Sequence, residues 1–305
     1  MELPYELKDL YRHWPQHIKK APLTQNVKNK KLLNDIKWFI KERINIWEKK
    51  TSGASPPFTK DPILSTYRFC NIFREFDKQT IAFHTRLNPL RNDFPLWLLN
   101  MFYFRMVANI ETINTLGLLS YNKKDGEEFY KRIMVSPRPR FGTPYVFPIS
   151  TIMRSETPTR EAFISFYLPS VMKKIAKEIK TWSKESVYDG VERILPLFGY
   201  NLRFLWTEVL IDVAYQYPKR LDLFKRFPIG PGSAPTFKRI DNSKDPSILV
   251  TELSLTSVST GVSFNGKALR LSAENWEGVG CEFRKYTNLK NGHGRKRLYK
   301  KSPSK

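Results

Sequence analysis

Residues 55–80 read SPPFTKDPILSTYRFCNIFREFDKQT, and the fold turns on how they are taken. Asp61 followed by Pro62 is the pattern of an N-cap and a first-turn proline, so a helix is expected to begin there and run to about Thr80. At 100° per residue, Arg68, Asn71, Arg74, Glu75 and Lys78 then share one arc of about 120°. Phe69, Cys70, Ile72, Phe73 and Phe76 fill the other side. Such a face is either a solvated surface or a site. Asp77 fits the first poorly, because it projects beside Cys70 and Phe73 on the apolar border. One turn from Arg74, it is either paired with that arginine or kept for chemistry.

On either side the pattern stays helical. Residues 31–49 repeat Leu33, Ile36, Trp38, Phe39, Ile44, Ile46 and Trp47 at helical intervals. Residues 51–58 break that run by composition. A strongly apolar helix is expected over 95–117, stopped by Gly117, and a proline-rich extended or looped segment over 135–148. Helices resume at about 160–183 and 187–217, the second interrupted near Pro196–Gly199. A glycine-proline turn spans 227–235. Residues 248–271, β-branched and polar, read as a short strand pair or an ordered loop. A last helix is expected from Ala273 to Tyr286. The chain is therefore read as mainly α, with one helical domain over 1–286 and a basic tail over 287–305.

Composition narrows the function. The 305 residues hold 52 Lys and Arg against 29 Asp and Glu, for a net charge of +23 and a pI near 9.9. Such an excess adds little to fold stability but attracts polyanions, nucleic acid first among them. A lysine-rich genome bias explains the same numbers without any partner. Anionic membrane fits less well, for want of a clean basic amphipathic helix, and no apolar run reaches the ~20 residues of a span. The N-terminal stretch lacks the apolar middle of a signal peptide. Cys70 and Cys281 are in no ligand-like spacing, so neither a disulfide framework nor a zinc site is expected, and a reducing, cytoplasmic setting fits. No motif requires a metal or another cofactor.

Several residues carry more specific alternatives. Gly199 suits a tight turn between helices, where the next helix N-terminus offers amides to a phosphate, or a plain helix break. Glu208 and Asp212 lie one turn apart on a nearly all-apolar helix. Unpaired burial there is costly, so they are either salt-bridged to a core arginine or catalytic. In CEFRKY, Cys281 is read as a buried small hydrophobe, Glu282 as the holder of Lys285, and Lys285 and Tyr286 as contacts to phosphate or base. The tail, with Arg295 and Arg297, either tracks a DNA backbone or is disordered. His84 and His293 lack catalytic spacing.

Four stretches in order carry a resemblance. PPFTKDPILSTYRFCNIFREFDKQT resembles the signature of the α-glutamyl/putrescinyl thymine pyrophosphorylase group. It is equally similar to the helical domain attached to 5-hydroxymethyl-deoxyuridine DNA kinases, with Phe58 in place of the usual tryptophan. FRMVANIETINTLG (104–117) resembles an Arg-x-x-x-Asn motif, here Arg105 and Asn109. Residues 197–233 resemble a segment with a helix aspartate, here Asp212, and a Gly-Pro-Gly turn. WEGVGCEFRKY (276–286) resembles the Glu-x-x-x-Cys-Glu-Phe-x-Lys-Tyr ending.

The resemblance implies a helical fold akin to the helix-hairpin-helix DNA glycosylases and chemistry on DNA. It implies an amine, an amino acid or polyamine, replacing the phosphate of phosphorylated 5-hydroxymethyluracil in double-stranded DNA in phage thymine hypermodification. The chain holds no Gly-x-x-x-x-Gly-Lys-Ser/Thr phosphate loop, so a separate kinase is expected as partner. On this reading Asp77 is the base, Arg68 and Arg74 neutralise the leaving phosphate, and Asn71 reads the uracil edge. Glu75 and Asp212 join the catalytic candidates. Lys78, Arg105, Asn109, Gly199, Glu282, Lys285, Tyr286, Arg295 and Arg297 contact substrate or DNA. A glycosylase acting on modified uracil and a non-enzymatic partner of the kinase remain as alternatives.

Overall fold

The computed structural model describes residues 1–18, 23–142, 147–153, 155–256, 260–294 and 296–298. Its helices are α1 (Tyr5–Leu10), α2 (Lys30–Thr51), α3 (Pro62–Thr66), α4 (Lys78–Leu87), α5 (Phe94–Val107), α6 (Ile110–Leu116) and α7 (Lys123–Val135). After them come α8 (Arg160–Ala162), α9 (Leu168–Lys180), α10 (Val187–Phe198), α11 (Arg203–Gln216), α12 (Ala234–Ile240), α13 (Pro246–Ser254) and α14 (Ala273–Lys290). One antiparallel hairpin, β1 (Ser263–Phe264) with β2 (Lys267–Ala268), turns at Asn265–Gly266, both at positive φ. The mainly α expectation holds. No helix among the described residues is long and apolar enough to cross a membrane.

The chain divides into two compact units. The first comprises Met1–Asp9, Trp14–Asp77 and Leu223–Lys305, the second Leu10–His13 and Lys78–Asp222.

In the first unit α14 packs against α2, α3, α12 and α13. Ser272 and Asn275 close a capping box at its start. Trp276, Val279, Phe283 and Tyr286, spaced three and four apart, form its buried face. Burying each such side chain stabilises by about 1.5–3 kcal/mol. The helix runs one turn past its expected end at Tyr286. Asn29 caps α2, whose stripe of Leu33, Ile36, Phe39, Ile40, Ile44 and Trp47 is buried. Residues 246–254 form α13 where sequence composition favours strand or loop. The overlooked signal is Asp245–Pro246, a capped first turn like that at Asp61–Pro62.

In the second unit α5 is apolar on nearly every side and buried along its length. It packs against α4, α9 and α11. The helix expected over 95–117 is broken at Ala108, which takes a left-handed conformation (φ 49°), before Asn109 caps α6. The break expected near Pro196–Gly199 falls at Gly199, whose φ of 79° ends α10.

Candidate functional site

Beyond α3 the chain leaves the helix that its periodicity suggests. Tyr67 is extended (φ −109°, ψ 146°), and a loop runs to Phe73 before a 3₁₀ turn at Arg74–Phe76. Arg68, Asn71, Arg74, Glu75 and Lys78 therefore share no helical face, which corrects the reading of residues 61–80 as one helix. The cause lies in what satisfies the backbone. Arg43 donates Nη2 to the carbonyls of Phe69 (2.9 Å) and Cys70 (3.2 Å), and Glu282 Oε2 accepts the Cys70 N–H at 2.9 Å. The Arg68 N–H reaches the Arg297 carbonyl at 2.8 Å. Side chains and one isolated backbone bridge from distant sequence thus replace the helix ladder. Phe69, Ile72, Phe73 and Phe76 are still buried, so the apolar spacing was real and its period misleading.

The loop carries the expected acid. Asn71 Nδ2 donates to Asp77 Oδ1 at 2.7 Å, and both residues are half-buried. Arg74 is half-buried, Glu75 fully buried, and Arg68 and Lys78 are exposed. Glu282, 5% exposed, accepts from Lys285 Nζ and Lys296 Nζ, each at 2.7 Å. Burial works against its charge, but Lys296 and Lys285 outweigh it and hold the carboxyl below its ordinary value. Burial likewise opposes the Lys285 charge, and Glu282 more than restores it, raising that lysine. Lys296 also stands 4.4 Å over the Phe69 ring. Cys70 joins the two groups: though part of its surface meets solvent, desolvation and then the Glu282 and Asp77 carboxylates push its thiol up to about 12. It is no thiolate nucleophile at neutral pH.

Around this loop α14 stitches the motifs together. Tyr286 donates its hydroxyl to Asp61 Oδ2 at 2.8 Å, while Asp61 Oδ1 caps α3 through the amides of Ile63 and Leu64. Burial and that carboxylate raise the Tyr286 phenol. The Gly-Pro-Gly turn is held by Glu277, whose Oε1 accepts from the Gly230 amide (3.2 Å) and from Ser233 Oγ (2.6 Å). Gly232 lies so close to α14 that a Cβ there would stand 2.8 Å from Cys281 Sγ. Arg297 is exposed on the segment that crosses Tyr67–Arg68, and Arg295 lies outside the described residues.

Arg105, Asn109, Gly199 and Asp212 belong to the second unit. Asp212, fully buried, accepts from Arg105 Nε on Oδ2 and from Arg105 Nη2 on Oδ1, both at 2.6 Å. His84 Nε2 lies 3.0 Å from the same Oδ1. Gln216 Nε2 donates to His84 Nδ1 (2.9 Å) and to the Leu10 carbonyl (2.8 Å), so His84 carries its proton on Nε2 and donates it to Asp212. The core salt bridge entertained for Asp212 is present, and its arginine is Arg105. Sequence reasoning passed over His84, which lies 128 residues from Asp212 with no motif between them. Asn109 accepts from the amides of Glu111 and Thr112 and donates to the Pro139 carbonyl.

Residues 30–295 match the family described as 5-hmdU DNA kinase, helical domain. The chain belongs to this family. Over 83 residues it is 35% identical to the 5-hmdU DNA kinase of Bacillus phage SP10, a stretch that covers 26% of this chain and 13% of that protein. No solved structure matches it.

Proposed function

We propose that the chain acts in thymine hypermodification of DNA, as a transferase that replaces the phosphate of phosphorylated 5-hydroxymethyluracil with an amine. The observation that carries this reading is the Asn71–Asp77 pair, set on one loop with Arg68 and Arg74 and linked through Cys70 to Glu282, Lys285 and Lys296. An acid beside an excess of cations suits displacement of an anionic leaving group. Membership of the kinase-associated helical family, and the resemblance to thymine pyrophosphorylases, supply the substrate class.

In the proposed reaction the flipped base presents its C5 methylene. Asp77 takes a proton from the incoming ammonium and frees its lone pair. The nitrogen bonds the methylene carbon as the carbon–oxygen bond breaks, and phosphate departs with that electron pair. Arg68 and Arg74 neutralise the leaving group, and Asn71 holds Asp77 in place. The kinase that makes the substrate is a separate catalytic unit.

Mass spectrometry of nucleosides from phosphomethyluracil DNA, incubated with the protein and a panel of amines, tests the proposal. An intact, heavier nucleoside is expected. Abasic sites would instead make the protein a glycosylase, and unchanged nucleosides with retained DNA binding would make it a partner of the kinase.

A further inference from the structure

A cavity of about 230 Å³ opens beside the C-terminal half of α14, lined by Gly232, Cys281, Arg284, Lys285, Asn288 and Gly294 among others. It is smaller than the ~300–1,000 Å³ of sites for drug-sized ligands, so it suits a single group. Its charges do not balance. Glu282 is the one carboxylate shared by Lys285 and Lys296. Arg284 has no carboxylate partner among the described residues. Its Nη1 is spent on the carbonyls of Pro231 (3.1 Å) and Gly232 (3.4 Å), which fixes the guanidinium plane against the turn. Nε and Nη2 have no partner among the described residues. The other acid near Cys281, Glu277, has its Oε1 committed to Gly230 and Ser233.

We infer that this cavity is a pocket for a phosphate monoester dianion. An oriented guanidinium edge and an ammonium on one small, partly enclosed wall are what such a group requires, and charge-assisted hydrogen bonds there are strong. Asn288 adds a side-chain amide at the rim. That the monoester is the one on the modified base rests on the proposed function. The pocket's affinity for inorganic phosphate does not.

Cys281 makes the pocket measurable. In a Cys70→Ser background it is the one remaining thiol, so its alkylation rate reports occupancy. Burial holds this thiol above its ordinary value, against the pull of Lys285, so the reaction is run at mildly alkaline pH. Inorganic phosphate at ten times its Kd should slow alkylation by iodoacetamide about tenfold relative to chloride at equal ionic strength. Iodoacetate should react faster relative to iodoacetamide than it does with the unfolded chain. Lys285→Met and, at an exposed rim position, Asn288→Asp should abolish both effects while leaving circular dichroism unchanged. A phosphomonoester nucleotide should protect, and an unmodified duplex should not. Equal rates in phosphate and chloride would overturn the pocket, as would protection by the duplex alone. Protection by phosphate with no amine transfer would leave the pocket standing and sink the proposed reaction.

Discussion

Asn71 and Asp77 are joined by a 2.7 Å hydrogen bond from amide to carboxylate across a loop that holds one 3₁₀ turn, Arg74–Phe76, and no α-helix. The bond holds the acid in one orientation on a segment whose backbone is itself pinned by Arg43 and Glu282. An acid held this way is pre-positioned rather than free to sample solvent.

Asp77→Asn keeps shape and most packing but cannot accept the ammonium proton. Single-turnover transfer should fall by the ~10²–10⁴ typical of losing a general base, with DNA affinity retained. Melting temperature is to be measured on the same preparation. A destabilised variant with full turnover per folded molecule would make Asp77 a structural residue.

Arg105→Met leaves Asp212 buried without its bidentate partner and should cost about 3–5 kcal/mol of stability in urea denaturation. The pair Arg105→Met with Asp212→Leu, which leaves no buried charge, should recover most of that loss. If Asp212 works catalytically, the double variant will be folded and inactive. If it is an anchor, transfer per folded molecule will survive.

Acid should loosen the first unit through Glu282. Its carboxyl is held below the ordinary value in the folded chain, so its contribution is fully present above the unfolded value and is lost as pH falls through the folded one. Wild type should therefore lose stability on acidification over that window more steeply than Glu282→Gln. Parallel curves would mean that the two lysines gain nothing from this acid.

Affinity for duplex DNA should fall steeply with salt, given the net charge of +23. Removing residues 299–305, which spares the segment lying on Tyr67–Arg68, should flatten log affinity against log salt by about 0.9 for each lysine that touches a phosphate. An unchanged slope would take those lysines off the backbone.

What the sequence revealed depended on whether partners were local. Asp61–Pro62 caps α3 as read, because a cap needs only its own next residues. The α2 stripe was legible for the same reason, and Arg43, set among its apolar positions, was a visible but unused sign of a buried polar contact. The loop after Thr66 was not legible. Its conformation is set by Arg43, Glu282 and Arg297, none of them its neighbours. The pairing of Lys285 with Glu282, three residues apart on α14, was anticipated, whereas the second lysine on that acid, Lys296, arrives from beyond the helix.

The two units differ in how the chain supplies them, and translation makes that difference consequential. The second unit is drawn almost wholly from residues 78–222, so it can complete its core while the remainder is still being made. The first combines the opening residues with those after 222, and the loop bearing Asp77 gains Glu282, Lys296 and Arg297 only once residues 282–297 have been made. A ribosome that stalls or terminates early will release a chain with a formed second unit and no assembled acid–cation site. Under the proposed function, DNA-modifying activity therefore reports synthesis through at least residue 297.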